Sequence, residues 1–369
     1  MKQLREPMLN DLGIALPVAP FVDTYSDCYV RTVAAILNYY GCPDPALCFG
    51  QNYAFFRIFP IDAPPVLRSR LVPLESYLKN LGVRRLICSA MDKEEAWERM
   101  RQSVAQGAPV LAHVDVYHIP YLPYYHKVHD LHNIIISGFD QRAKSVRIVD
   151  NVANYQADLP QADVFEAFNL SAEVSRQVST EGNIHWQEFV PAAAGFQFQR
   201  TGKMLADDVR NSLSLWDQTK PLAEHLRPFT THLYAGEVTR WEYGWQAIRE
   251  YAGIIPDVVR ALPAHISALD PPFIEYRWLS QQGMWFARYM QYCQTQTGHA
   301  HPAITIALEK IAQQWMIIQS VMIKYRVRPH PDVPARLEAM LVELAERHAQ
   351  LIRPLYELAD IVERGDSVE

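Results

Sequence analysis

One cysteine, one histidine and one aspartate stand in this chain where they could run nucleophilic, covalent catalysis: Cys28, His132 and Asp150. Val30, Val33, Ala34 and Leu37 recur at helical spacing and share one face, and Gly41 after Tyr40 is a natural stop. Ser26 and Asp27 are good capping residues, so Cys28 falls in the first turn of an amphipathic helix. Unpaired N–H groups and the positive end of the helix dipole favour thiolate over thiol there, and the cysteine's own N–H is placed to help hold an oxyanion.

The segment LHNIIISGFDQRAKSVRIVDN reads as a β-hairpin. Two β-branched runs, Ile134–Ser137 and Val146–Val149, flank a turn rich in Gly, Asp, Gln and Lys. With the turn centred near residues 141–142, His132 and Asp150 come opposite each other within a residue or two. Directly opposed Cβ atoms are about 5 Å apart. The carboxylate can then take one imidazole nitrogen and leave the other for a thiol, the geometry of a nucleophile, base and orienting acid.

The elements that must hold these groups divide the chain in two. A helix over 28–40 is followed by an aromatic-rich loop, NYAFFRIFP. A helix is expected at 73–81 and a strand at 83–89, then a helix at 92–106 and strands at 109–117, 132–139 and 145–150. From Lys203 onward the period is helical throughout: 203–227, 237–251, 273–294, 302–324 and 334–364, separated by Gly236, Asp270-Pro271-Pro272 and His330-Pro331. The fold class is α+β: a catalytic domain over 1–185 with an antiparallel sheet, then an all-α domain over 186–369.

Bulk composition narrows the function. The 369 residues are 49% hydrophobic and 21% charged, with a formal net charge of -6. That is ordinary for a globular protein and lacks the basic excess of a nucleic-acid binder. The start, MKQLREPMLNDLG, has no apolar run of signal-peptide length. No stretch approaches the roughly 18 apolar residues of a membrane span. A cytoplasmic protein with neither nucleic-acid nor membrane partners is expected. The five cysteines, Cys28, Cys42, Cys48, Cys88 and Cys293, form no CxxC pair and no even framework, which argues against disulfides and a structural zinc site.

These motifs resemble papain-like cysteine enzymes, especially the bacteriocin-processing double-glycine peptidases and, more closely, the butirosin biosynthesis protein H family. The resemblance is carried by DCYVRTVAAILNYYG, LCFGQNYAFFRIF, DVYHIPYLPYY, HDLH, GFD and VDN, and in the helical part by FIEYRWLSQQGMWFARYMQYCQ and AITIALEKIAQQW. It implies a papain-like catalytic domain and an acyltransferase or amide synthase of natural-product biosynthesis. Cys28 would take an acyl group from a carrier-protein thioester, His132 would shuttle the proton, and Asp150 would orient His132. An acyl or peptidyl carrier protein and a small-molecule amine acceptor would be the partners. No cofactor is implied, and phosphopantetheine enters only as the carrier's arm. Papain-like enzymes place an oxyanion-hole Gln five or six residues before the cysteine. Val22 and Asp23 occupy that place here, which leaves Gln51 as the candidate donor.

His129, Asp115, Asn133, Gln51 and Tyr53 are the remaining candidates for binding substrate or supporting the triad. Tyr53, Phe55, Phe56 and Phe59 could line an acyl pocket or fill a core. The run His113, Asp115, His118, His126, His129, Asp130, His132 is dense in metal-ligand types, but with no HExxH helix the expectation is no metal. A peptidase or thioesterase on the same triad and a non-catalytic scaffold are the rival functions. The composition does not forbid a homodimer.

Overall fold

The computed structural model describes residues 13–23, 26–42, 44–51, 53, 55–60, 65–69, 78, 81–171, 174, 184–191, 202–217, 238–261, 273–298 and 301–365. The chain divides into two compact units. A sheet unit comprises Met1–Pro45 and Leu78–Phe198, and a helical unit comprises Ala46–Tyr77 and Gln199–Glu369.

In the sheet unit, six antiparallel strands run in the order Val83–Ala90, Ile184–Pro191, Val110–Asp115, Leu131–Asp140, Ser145–Asp150, Tyr155–Pro160. The short strand Ile14–Ala15 adds to the side of Leu131–Asp140 and completes a seven-stranded sheet. The middle of the sheet is Leu131–Asp140, whose residues His132 to Phe139 are all buried. Burial without alternation is what a strand covered on both faces shows, and Ile134, Ile135 and Ile136 supply its apolar middle. The helix Cys28–Tyr39 packs on this strand through a face that includes Val30, Val33, Ala34 and Leu37. Helix Lys93–Ala105 starts on Asp92, whose carboxylate accepts from Glu95 N at 2.7 Å, with Glu94 and Glu95 favourably placed in its first turn.

The central hairpin turns through Asp140. Its Oδ1 accepts from Arg142 N and Ala143 N, each at 2.9 Å, and Lys144 takes a left-handed conformation with φ 49°. A bulge between Ile136 and Gly138 shifts the register by one residue.

In the helical unit, strands Phe55–Pro60 and Val66–Ser69 pair with Val238–Tyr243 in the order Val238–Tyr243, Phe55–Pro60, Val66–Ser69. Helices Gly202–Trp216, Trp245–Ala252, Ile255–Ala261, Phe273–Thr297, Pro302–Val327 and Val333–Gly365 make up the rest of its described regular structure, with the one-turn helix Ala46–Phe49. Its core holds Trp216, Trp315, Tyr53, Tyr251, Tyr276 and Phe286, all fully buried. Arg57, itself buried, pairs with Glu242 and Glu250.

The architecture is α+β, with a mostly helical second part. The structure departs from the expectation at two strands and at the boundary between the parts. The segment NYAFFRIFP, expected as a loop, contributes the strand Phe55–Pro60, and the mostly helical second part is not all-α, because residues 237–251 hold a strand, Val238–Tyr243, before the helix Trp245–Ala252. The units also depart from the 1–185 and 186–369 division. Strand Ile184–Pro191 lies between two strands of the sheet unit, and residues 46–77 cluster with the helices. The helix expected over 203–227 is described only as far as Trp216, and that expected at 73–81 falls, apart from Leu78 and Leu81, outside the described residues.

Candidate active site

Cys28 is the first residue of its helix and is partly exposed. Asp27 is the cap, with Oδ1 accepting from Val30 N at 2.8 Å. Its carboxylate is thus engaged by a helix amide, as a capping aspartate should be.

His132 and Asp150 meet as the hairpin reading expected. His132 Nε2 and Asp150 Oδ2 are 2.8 Å apart, with His132 6% exposed and Asp150 0%. The bulge makes their relation diagonal. Continuing the pairing Ile135↔Val149 puts Asp150 opposite Ile134, two residues on from His132 and on the same face. The bond to Nε2 leaves Nδ1 for Cys28, whose side chain is a hydrogen-bond partner of the imidazole. Burial pushes the His132 imidazolium down, but Asp150 and Cys28 outweigh it and hold the ring up to about 10. Burial likewise pushes the Asp150 carboxyl up, and the bonds from His132 and Tyr121 outweigh that and hold it below its usual range. The pair is therefore charged at neutral pH, an imidazolium between a carboxylate and a sulfur.

Asp150 has more support than the motif foretold. Tyr121 donates its hydroxyl to Oδ2 at 2.9 Å and stacks on Tyr155 with ring centres 4.0 Å apart. Val152 N and Ala153 N donate to Oδ1 at 2.9 and 3.2 Å. Asn151 ties strand, N-terminal segment and helix together. It accepts from Phe21 N at 2.7 Å and donates to Thr32 Oγ1 at 3.3 Å. Thr32 in turn donates to Cys28 O at 2.7 Å. Tyr121 was not among the expected residues. Its one signal in the sequence is its place in the tyrosine- and proline-rich segment IPYLPYY.

Asn133 reaches Cys28 directly, with Nδ2 3.1 Å from Sγ. His129 and Asp115 form a second imidazole–carboxylate pair, Nδ1 to Oδ2 at 2.8 Å. Asp115 is fully buried and also accepts from Tyr117 N at 3.0 Å and from Asp130 N and Ser171 N at 3.3 Å. It therefore holds both ends of the loop that carries Tyr121, while the His129 ring, 43% exposed, stacks on Tyr117. Gln51 and Tyr53 belong to the helical unit. Tyr53 is core there: its hydroxyl accepts from Trp315 Nε1 at 3.1 Å and its ring packs against Trp216 and Phe286. Gln51 is buried in the same unit. Among the described residues, no group of three or more His, Cys, Asp and Glu side chains is arranged to hold a metal ion.

Residues 27–151 match the family model described as butirosin biosynthesis protein H, N-terminal. The matched stretch opens one residue before Cys28 and closes one after Asp150, so it holds all three groups. No curated protein matches the chain.

Proposed function

From a chain that is butirosin biosynthesis protein H-like over residues 27–151, we propose an acyltransferase of antibiotic biosynthesis that carries its acyl group on Cys28. The observation that supports it most is the buried His132–Asp150 pair at 2.8 Å with Cys28 as the ring's other partner. In this reading the Cys28 thiolate attacks the carbonyl carbon of a carrier-protein thioester. The C–S bond to the carrier's phosphopantetheine breaks, and the His132 imidazolium protonates the departing thiolate. An amine then attacks the acyl-Cys28 carbonyl, neutral His132 takes the amine's proton, and Cys28 leaves as thiolate. The first step exchanges one thioester for another and is nearly balanced, the second runs downhill from thioester to amide, and together they split one difficult displacement in two. Asp150 keeps the ring in the one orientation that serves both.

Intact-mass measurement of the protein mixed with acyl-loaded carrier protein tests this. An acyl adduct absent from Cys28→Ala is expected, and no adduct on the unmodified protein would sink the reading. Adding amines then decides the reaction. Amide product supports transfer, whereas release of free acid alone would make the protein a hydrolase.

A further inference from the structure

Beside the Cys28 helix, a row of polar side chains crosses four strands that are consecutive neighbours in the sheet, from Val83–Ala90 through Ile184–Pro191 and Val110–Asp115 to Leu131–Asp140. Arg85 Nη1 donates to Tyr29 Oη at 2.8 Å, and the Tyr29 hydroxyl donates to Gln187 Oε1 at 2.9 Å. Gln187 Nε2 lies 3.1 Å from His113 Nε2. His113 stands directly opposite Asn133 in the ladder, and Asn133 Nδ2 lies 3.1 Å from Cys28 Sγ.

The direction of every bond in the row follows from what each group can do. A guanidinium only donates, so the Tyr29 oxygen accepts from Arg85 and its proton goes onward. Gln187 therefore turns its carbonyl to Tyr29 and its amide nitrogen to His113, whose Nε2 must accept and so is bare. Burial pushes the His113 imidazolium down, against the hydrogen bond with Asn133 and together with the charges of His185 and Arg85, to about 4. The ring is thus neutral at pH 7 and its single proton sits on Nδ1. Both His113 Nδ1 and Asn133 Oδ1 are buried, and neither has another partner among the described residues. The proton on one is what the oxygen of the other lacks. Asn133 then has its oxygen towards His113 and its N–H towards the sulfur.

We propose that Asn133 is a second side-chain donor at the Cys28 sulfur, beside His132, and that Arg85, Tyr29, Gln187 and His113 form a one-way hydrogen-bond relay that fixes which end of the Asn133 amide faces it. An N–H on the sulfur stabilises the anion, whereas a carbonyl turned the same way would repel it. The inference deepens the reading of Cys28 as nucleophile and rests on it. Asn133 touches the reacting atom, and the other four are positioning residues.

The test is alkylation of Cys28 by iodoacetamide, followed by peptide mass spectrometry. Asn133→Leu should slow it about tenfold or more near neutral pH, the value of a hydrogen bond to a charged group. The deficit should vanish at about pH 10, where a free thiol is ionised unaided. Gln187→Glu changes no atom that touches Cys28, yet should act alike. An ionised Glu only accepts, so it draws the His113 proton to Nε2 and reverses Asn133. In the unmodified protein at pH 7, ¹⁵N NMR of the histidines should find His113 as the neutral Nδ1–H tautomer. That measurement decides the matter if Gln187→Glu does not fold. Unchanged alkylation in Asn133→Leu, or an Nε2–H or doubly protonated His113, overturns the relay. No acyl adduct from carrier protein, with alkylation slowed as expected, would remove acyl transfer and leave the relay standing.

Discussion

At the scale of residues, the proposed triad is held from behind as much as from within. Asp150 accepts four hydrogen bonds, and the one from Tyr121 can be removed without emptying space, since the ring stays stacked on Tyr155. Tyr121→Phe should keep the fold and lower the rate of the proposed acyl transfer about tenfold, because one donor to a buried carboxylate is lost. The same loss lets the Asp150 carboxyl rise, so the acid limb of the pH–rate profile should move to higher pH. A rate and profile matching the parent would assign Tyr121 to packing alone. Cys28, His132 and Asp150 were legible because each sits in a strongly patterned local element: a capped amphipathic helix and a hairpin with two β-branched arms. Arg85, Tyr29, Gln187 and His113 were not. They meet only because Ile184–Pro191 inserts between Val83–Ala90 and Val110–Asp115, two strands far earlier in the chain, a strand order that no local spacing announces.

At the scale of elements, the misread segments show where helical period and strand content compete. Residues 237–251 carry apolar positions at helical spacing, yet VTRWEY is β-branched and aromatic, and Gly244 at φ 82° separates strand from helix. Phe55–Pro60, within the expected loop NYAFFRIFP, is a strand for the same compositional reason. In the sheet unit the element most exposed to a single change is the central strand at its bulge. The strand Ile14–Ala15 approaches so closely that a Cβ on Gly138 would lie 2.4 Å from Ile14 O and 3.0 Å from Arg147 Cβ. Both obstacles are backbone or the root of a side chain and cannot swing aside. Gly138→Ala should therefore cost about 1–3 kcal/mol, the range for overpacking. Chemical denaturation would show it as a lower midpoint with an unchanged slope. An unaffected midpoint would mean that Ile14–Ala15 yields without loss.

At the scale of the whole molecule, three histidines set opposing limits on stability with pH. His348, in the helical unit, is pushed down by burial to about 4, against the bond between its Nδ1 and Leu344 O, and its Nε2 faces Tyr53 Oη. His113, facing Gln187, Asn133, His185 and Arg85 in the sheet unit, is likewise lowered to about 4. An unfolded histidine titrates near 6.5, so as pH falls from about 6.5 to about 4 the unfolded chain binds protons at these sites that the folded one refuses. Stability from His113 and His348 is therefore present above that window and lost through it. His132 has the opposite sign. Held up to about 10 by Asp150 and Cys28, it contributes stability that is full below about 6.5 and lost as pH rises towards 10. Thermal unfolding followed across this range should thus fall away on both sides of neutrality, for unrelated reasons. His348→Gln, which keeps an amide where the ring was and does not titrate, should flatten the acid limb. His132→Gln should flatten the alkaline limb and leave the acid one as steep as before. If His132→Gln left the alkaline limb intact, the imidazolium would not be what holds Asp150 and Cys28 together in the folded state, and the charged pair at the centre of the site would have to be redrawn as a neutral one.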